Sequence, residues 1–147
     1  MHELAAPLCH FWELVHGPLA HWASITPNAV ALQNETRNLT FAQLHAEVYE
    51  RSATIAQQRQ PQMLLLDTSR GTLECVIEFL AIIASGRCAA VADPEWPQFV
   101  LERVQDCLPS DASELREATP LSAFYTGFTS GSTGIPKGFM RHHRSWT

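Results

Sequence analysis

The chain has 147 residues, of which 46% are hydrophobic and 17% are charged, and its formal net charge is −5. This length and composition are typical of one folded domain with a buried core, which excludes disorder of the whole chain. The net negative charge offers no attraction to nucleic acid or to an anionic membrane, so both are excluded as principal partners.

No targeting or membrane-spanning segment is evident from the sequence. The longest apolar stretch, Val76 to Ala84, is interrupted by Glu78 and is too short to span a bilayer. Glu3 is acidic where a signal peptide needs basic residues. We therefore expect a cytoplasmic protein. Its cysteines are far apart, two of them at apolar helical positions, and we expect reduced thiols without a disulfide or metal role at Cys9, Cys75, Cys88 and Cys107.

The N-terminal region predicts two short helices. Residues 8 to 23 have apolar groups at helical spacing, interrupted by Gly17-Pro18. The histidines of this region do not repeat at metal-ligand spacing, and no carboxylate or thiolate completes a tetrahedral set. We interpret them as surface or half-buried side chains, namely His2, His10, His16 and His21.

A strand pair and a capped helix follow. Ala29 to Gln33 predicts a short strand, and the polar turn after it leads to a second strand at Leu39. Thr40 and Gln43 have the spacing of a capping box, which predicts a helix N-terminus. The helix extends to about Gln58, with an apolar face formed by Leu44, Val48, Ser52 and Ile55.

The rest of the chain alternates strands and helices. The pattern predicts strands at Met63–Leu66, Cys88–Ala92 and Leu121–Tyr125, and helices at Thr72–Ser85 and from Pro97 to Leu108. The first two strands are apolar without alternation, which is typical of strands covered on both faces. Such alternation predicts an α/β fold of βαβ units with a mainly parallel sheet. A ligand is then expected at the carboxyl ends of the strands.

The most informative stretch extends from Gly127 to Gly138. It combines glycines, hydroxyl groups and one lysine, which is the composition of a phosphate-binding loop. It is not a P-loop, because Lys137 follows Pro136 instead of a glycine. Thr129 to Gly138 matches the pattern [ST]-S-G-[ST]-T-G-x-P-K-G at every position. In this it resembles the phosphate loop of the adenylate-forming (AMP-binding) enzymes, which include acyl-CoA synthetases, aryl-CoA ligases and nonribosomal peptide synthetase adenylation domains.

Two upstream segments extend this resemblance. Thr26 to Leu44 resembles the opening strand and helix of the family, and Ser85 to Pro94 resembles its second core motif. The resemblance implies that residues 1–147 are the N-terminal portion of the large domain of a longer enzyme. It also implies a ligase that joins a carboxylate to AMP with release of pyrophosphate and then passes the acyl group to CoA or a carrier protein. We expect no membrane span, and we expect this portion alone to be inactive and to self-associate.

The resemblance implies a role for each residue of the loop. The ATP phosphates would be bound by Thr129, Ser130, Gly131, Ser132, Thr133, Gly134 and Lys137. His143 stands where many relatives carry a histidine near the acyl pocket, although a histidine at the start of a helix is an equal alternative. No catalytic residue and no metal ligand is expected within this chain, since the family's Mg²⁺ ligands lie beyond it.

The class of the carboxylic acid is only weakly indicated. Peptide synthetase domains usually have a tyrosine and an additional proline in the segment that here reads Ser85 to Pro94. Their replacement favours acyl or aryl acids over amino acids. Two alternatives to an enzyme are a phosphate-binding module without catalysis and a fragment with only a structural or self-association role.

Overall fold

The computed structural model describes residues 12–113, 117–129 and 134–147. Strands β1 (Val30–Gln33) and β2 (Asn38–Thr40) form an antiparallel pair. A second sheet has the order β3-β4-β5-β6, with the strands Met63–Leu66, Cys88–Val91, Ala123–Thr129 and Lys137–His142. The helices are α1 (Gly17–Ile25), α2 (Phe41–Gln57), α3 (Thr72–Ala84) and α4 (Gln98–Cys107), with short 3₁₀ helices at Thr68–Arg70 and His143–Ser145.

The second sheet has the parallel arrangement that the sequence predicts. Strands β3, β4 and β5 are parallel neighbours, whereas β6 pairs with β5 in the antiparallel direction. The α/β class with a mainly parallel sheet is therefore confirmed. Strand β6 was not predicted, and it includes Lys137 and Gly138, which the sequence analysis assigned to the loop.

Local signals set the ends of two helices. The Thr40 hydroxyl accepts a hydrogen bond from the Gln43 N–H (3.2 Å), and the Gln43 side chain accepts one from the Thr40 N–H (2.9 Å). This is the predicted capping box of α2. At the end of α3, Gly86 has φ +84°, and its N–H and that of Arg87 donate to Ile83 and Ile82. These two bonds form a Schellman motif, which needs a residue with positive φ.

The core lies between α2, α3 and the second sheet. The predicted face of α2 is buried, and α3 packs between α2 and the strands. One buried cluster joins these helices to the sheet through Ile55, Leu66, Ala81, Ile82, Ile83, Ala89 and Phe124. A second cluster joins α1, α2, α3 and β2 through Leu19, Leu39, Leu44, Val48, Leu73 and Ile77. The core therefore lies mainly on the α3 side of the sheet.

Several expectations need correction. Strand β3 is half-buried except at Leu66, because it lies at the edge of the sheet. Of the two short helices predicted over residues 8 to 23, the second is α1, which begins at Gly17-Pro18. Residues 12–16 form turns, and residues 8–11 lie outside the described residues. Cys107 is exposed although it was placed on an apolar face. Cys75, Cys88 and Cys107 are free thiols, and Cys9 lies outside the described residues. Within the described ranges, no helix is long and apolar enough to cross a membrane.

Candidate phosphate-binding site

The candidate loop connects the two strands of a β-hairpin. Thr129 at the end of β5 pairs with Lys137 at the start of β6, and Phe128 pairs with Gly138. The first and last parts of the motif are therefore held by the sheet. The predicted phosphate-binding residues Ser130, Gly131, Ser132 and Thr133 lie outside the described residues.

Gly134 needs the conformational freedom of glycine. Its φ is +78°, in the region that other residues rarely adopt. A Cβ atom at this position would have no atom within 4 Å, so space does not demand glycine here. The backbone conformation therefore explains why the motif has glycine at this position.

Lys137 provides an available positive charge at this end of the hairpin. Its side chain is exposed, and it makes no ion pair with any residue that the structure describes. The Thr129 hydroxyl donates to the Lys137 carbonyl oxygen over a long distance of 3.4 Å, a weak hydrogen bond that the hydroxyl could exchange for one to a stronger acceptor. A hydroxyl group and an ammonium group thus stand on two directly paired residues.

The hairpin emerges at the carboxyl edge of the parallel strands. Asp67 follows β3 and Asp93 follows shortly after β4, at the same edge as Thr129. The Thr68 hydroxyl donates to the Ala92 carbonyl (2.9 Å) and ties two of these strand ends together. This is the edge at which α/β sheets bind ligands, as the sequence analysis expected.

The two carboxylates at this edge bind to their own turns. Asp67 accepts hydrogen bonds from the Ser69 hydroxyl (2.6 Å) and N–H (2.9 Å), and the Ser69 side-chain bond is the main cause that lowers the pKa of Asp67. Asp93 accepts from the Glu95 N–H (2.9 Å). No group of three or more His, Cys, Asp or Glu side chains in the described ranges is placed to hold a metal ion. Both aspartates therefore stabilise their own turns.

His143 is a buried residue at the start of the 3₁₀ helix after β6. Only 1% of it is exposed, its ring stacks on Phe124 (4.9 Å between centroids), and its Nδ1 accepts a hydrogen bond from the Val15 N–H (2.9 Å). Burial, and secondarily the nearby His16, lower the pKa of His143 to about 4. The neutral ring then carries its proton on Nε2. This environment is that of a packed helix-start histidine, and a role in acyl binding stays a prediction.

His16 completes a buried histidine pair. Its ring lies 5.5 Å from that of His143, and burial lowers the pKa of His16 to about 4. The prediction of a surface or half-buried side chain is wrong for His16, which is only 8% exposed. The difference arises because the chain before α1 packs on the end of β6, a contact between distant residues that no local pattern reveals.

Aromatic side chains lie close to two glycines of the hairpin strands. A Cβ atom on Gly127 would lie 2.5 Å from both the Phe139 ring and the Tyr125 hydroxyl. A Cβ atom on Gly138 would lie 3.4 Å from the Phe128 ring. Aromatic side chains therefore lie across the backbone at both positions. Both glycines were predicted to be loop residues, although the aromatic residues next to them in the sequence indicate packing.

Known proteins are similar to this chain in sequence and in fold, although no protein-family model matches it. The uncharacterized acyl–CoA ligase YhfT of Bacillus subtilis is 31% identical over 93% of this chain and 29% of its own length. The beauvericin nonribosomal cyclodepsipeptide synthetase of Beauveria bassiana is 30% identical over 81% of this chain and 5% of its own. The structure of the Klebsiella oxytoca NpsA N-terminal subdomain in complex with 3-hydroxybenzoyl-AMSN shares the fold, with a TM-score of 0.73 at 18% identity over 89% of this chain and 41% of that one.

The chain belongs to the adenylate-forming enzyme superfamily. As a member of this superfamily, it spans less than a third of the length of either relative matched by sequence. Its α/β fold is that of the N-terminal subdomain of adenylate-forming enzymes.

Proposed function

We propose that this chain is the ATP phosphate-binding part of a ligase that activates a carboxylic acid. In the proposed reaction, a carboxylate oxygen attacks the α-phosphorus of ATP, the bond to the β-phosphate breaks, and acyl-AMP and pyrophosphate form. A thiol of CoA or of a carrier protein then displaces AMP. The observation that carries the proposal is the pairing of Thr129 with Lys137 at the carboxyl edge, within a complete family motif.

The proposed role of the hairpin is to hold the β- and γ-phosphates. The hydroxyl groups of Thr129, Ser130, Ser132 and Thr133 would donate to phosphate oxygens, and Lys137 would offset their charge. Gly131 and Gly134 would let the backbone approach closely. Such a role is one of positioning and electrostatic stabilisation, which is how proteins promote transfer at phosphorus. A Mg²⁺ ion would be bound largely by residues outside this chain.

The similarity to the acyl–CoA ligase YhfT supports CoA as the thiol acceptor. The similarity to the beauvericin synthetase supports a carrier protein instead. The changed residues in Ser85 to Pro94 favour an acyl or aryl acid. A cytoplasmic location stays a prediction. His143 near an acyl pocket stays part of the proposal, although its burial in this structure favours packing.

The full-length protein that contains this chain is expected to exchange labelled pyrophosphate into ATP when it is given its carboxylic acid. A panel of fatty, aryl and amino acids would identify the substrate class. The isolated 147 residues are expected to be inactive in the same assay, because no catalytic residue is proposed within them. Absence of exchange across the panel, together with ATP binding, would favour the alternative of a phosphate-binding module without catalysis.

The isolated chain is expected to self-associate. All six residues of β6 are exposed, including Phe139 (39%) and Met140 (63%), and no described strand pairs with its outer edge. An open edge with apolar side chains is a template for pairing with another strand. Light scattering at several concentrations would measure the mass, and a monomer at every concentration would contradict the expectation.

A further inference from the structure

Trp96 lies in a turn that its own hydrogen bonds hold in place. The Glu95 N–H donates to the Asp93 carboxylate (2.9 Å), and the Trp96 N–H donates to the Asp93 carbonyl (3.1 Å). Proline flanks the turn at Pro94 and Pro97, which restricts the backbone on both sides. The backbone that carries the half-buried Trp96 ring is therefore restricted, and it lies at the carboxyl edge of the sheet.

The Trp96 ring contacts the strand that leads into the hairpin loop. Its centroid lies 5.1 Å from that of Phe128, in an edge-to-face arrangement with an interplanar angle of 76°. Phe128 directly precedes Thr129. Trp96 also lines a cleft of about 300 Å³ beside Asp67 and Asp93. Phe128 lines a separate cleft of about 280 Å³ beside Ile135 and Pro136. The Trp96–Phe128 pair therefore lies between these two clefts, directly before Thr129.

Phe128 also contacts the opposite strand of the hairpin. Its ring lies over Gly138, where an added Cβ would be 3.4 Å away. Gly138 directly follows Lys137, and the two strands are paired in register at these positions. A contiguous series of contacts therefore leads from Trp96 through Phe128 to the backbone beside both Thr129 and Lys137.

We propose that Trp96 is a positioning residue for the phosphate-binding hairpin. By supporting Phe128, it holds the two strand ends that carry Thr129 and Lys137 at the separation and orientation needed for phosphate. This inference rests on the proposed function. The proposed ATP site then includes Trp96, a residue of the β4–α4 turn that is far from the glycine-rich motif in sequence.

The test compares Trp96→Ala and Trp96→Phe with Phe99→Ala in the full-length protein. Phe99 is a matched control because it is an aromatic residue on the adjacent helix α4 and is 67% exposed. We expect Trp96→Ala to raise the KM for ATP in pyrophosphate exchange by about twofold to tenfold, the range that an aromatic pair contributes. The KM for the carboxylic acid should stay unchanged, Trp96→Phe should restore most of the loss, and Phe99→Ala should have no effect.

Other results would overturn the inference. An unchanged KM for ATP in Trp96→Ala would do so, and so would an equal rise in both KM values with a lowered thermal midpoint, which indicates a general loss of structure. If the wild-type protein shows no exchange, the proposed function fails on its own. The positioning role is then judged by NMR, since Trp96→Ala but not Phe99→Ala should shift the amide resonances of Thr129 and Lys137. Unshifted resonances would contradict the role.

Discussion

Replacing Lys137 with alanine is expected to raise the KM for ATP by about tenfold to a hundredfold, because hydrogen bonds to charged groups contribute about 1.5–3 kcal/mol. The ammonium group is exposed and has no competing ion pair among the described residues, so its charge is available to the triphosphate. The thermal midpoint should change little, since an exposed lysine buries little apolar surface. Pyrophosphate exchange at varied ATP concentrations would measure the effect.

Arg141→Ala is the matched control for this experiment. Arg141 is an exposed cation on the same strand β6, farther from the hairpin loop, with its guanidinium 5.9 Å from the Phe139 ring centroid. Both variants remove one positive charge, so a general electrostatic effect would change both equally. We expect Arg141→Ala to keep nearly the full affinity for ATP. Equal losses in the two variants would contradict a specific role for Lys137, and Lys137→Arg should retain part of the function because it keeps the charge.

Acidification is expected to destabilise the fold through the buried histidine pair. The pKa of both His16 and His143 is lowered to about 4 in the folded protein, whereas an unfolded histidine has a pKa of about 6.5. Above about pH 6.5 both states are neutral, and the full stability is present. As the pH falls from 6.5 towards 4, the unfolded state binds protons first, so the free energy of unfolding decreases by up to about 3 kcal/mol for each histidine.

Urea unfolding at pH 7.5, 6.5 and 5.5 would measure this decrease before most carboxylates titrate. His143→Gln should remove about half of the pH dependence, although it should also lower stability at pH 7.5 because it disturbs the stacking on Phe124. His142→Gln provides the control, because His142 is the exposed neighbour on β6. A free energy of unfolding that is constant between pH 7.5 and 5.5 would contradict the burial of two neutral imidazoles.

The features that the sequence predicted are those with local causes. The capping box at Thr40 and the buried face of α2 each depend on the spacing of residues within a single helix. The composition and spacing of the motif from Thr129 to Gly138 likewise sufficed to recognise the family. Such features follow from backbone conformation and side-chain spacing, which a sequence displays directly.

The features that the sequence did not predict depend on pairing and on distant contacts. Strand β6 has no alternation of buried and exposed residues, since all of its residues are exposed, so its pattern gives no periodic signal. The apolar run of β3 suggested burial on both faces, but a sequence does not reveal which strand lies at the edge. The burial of His143 depends on Val15, far away in the chain.

The register of the β5–β6 hairpin also determines at which positions the fold tolerates inserted residues. Residues added between Thr129 and Lys137 enlarge the loop and leave the paired strands as they are. One residue added within β6 instead exchanges the two faces of the strand beyond it, because side chains alternate along a strand. The side chains of Phe139 and Arg141 would then point to the opposite face of the sheet, and His143 would lose its buried position against Phe124. The fold therefore tolerates insertions in the loop between β5 and β6, but it does not tolerate them within β6.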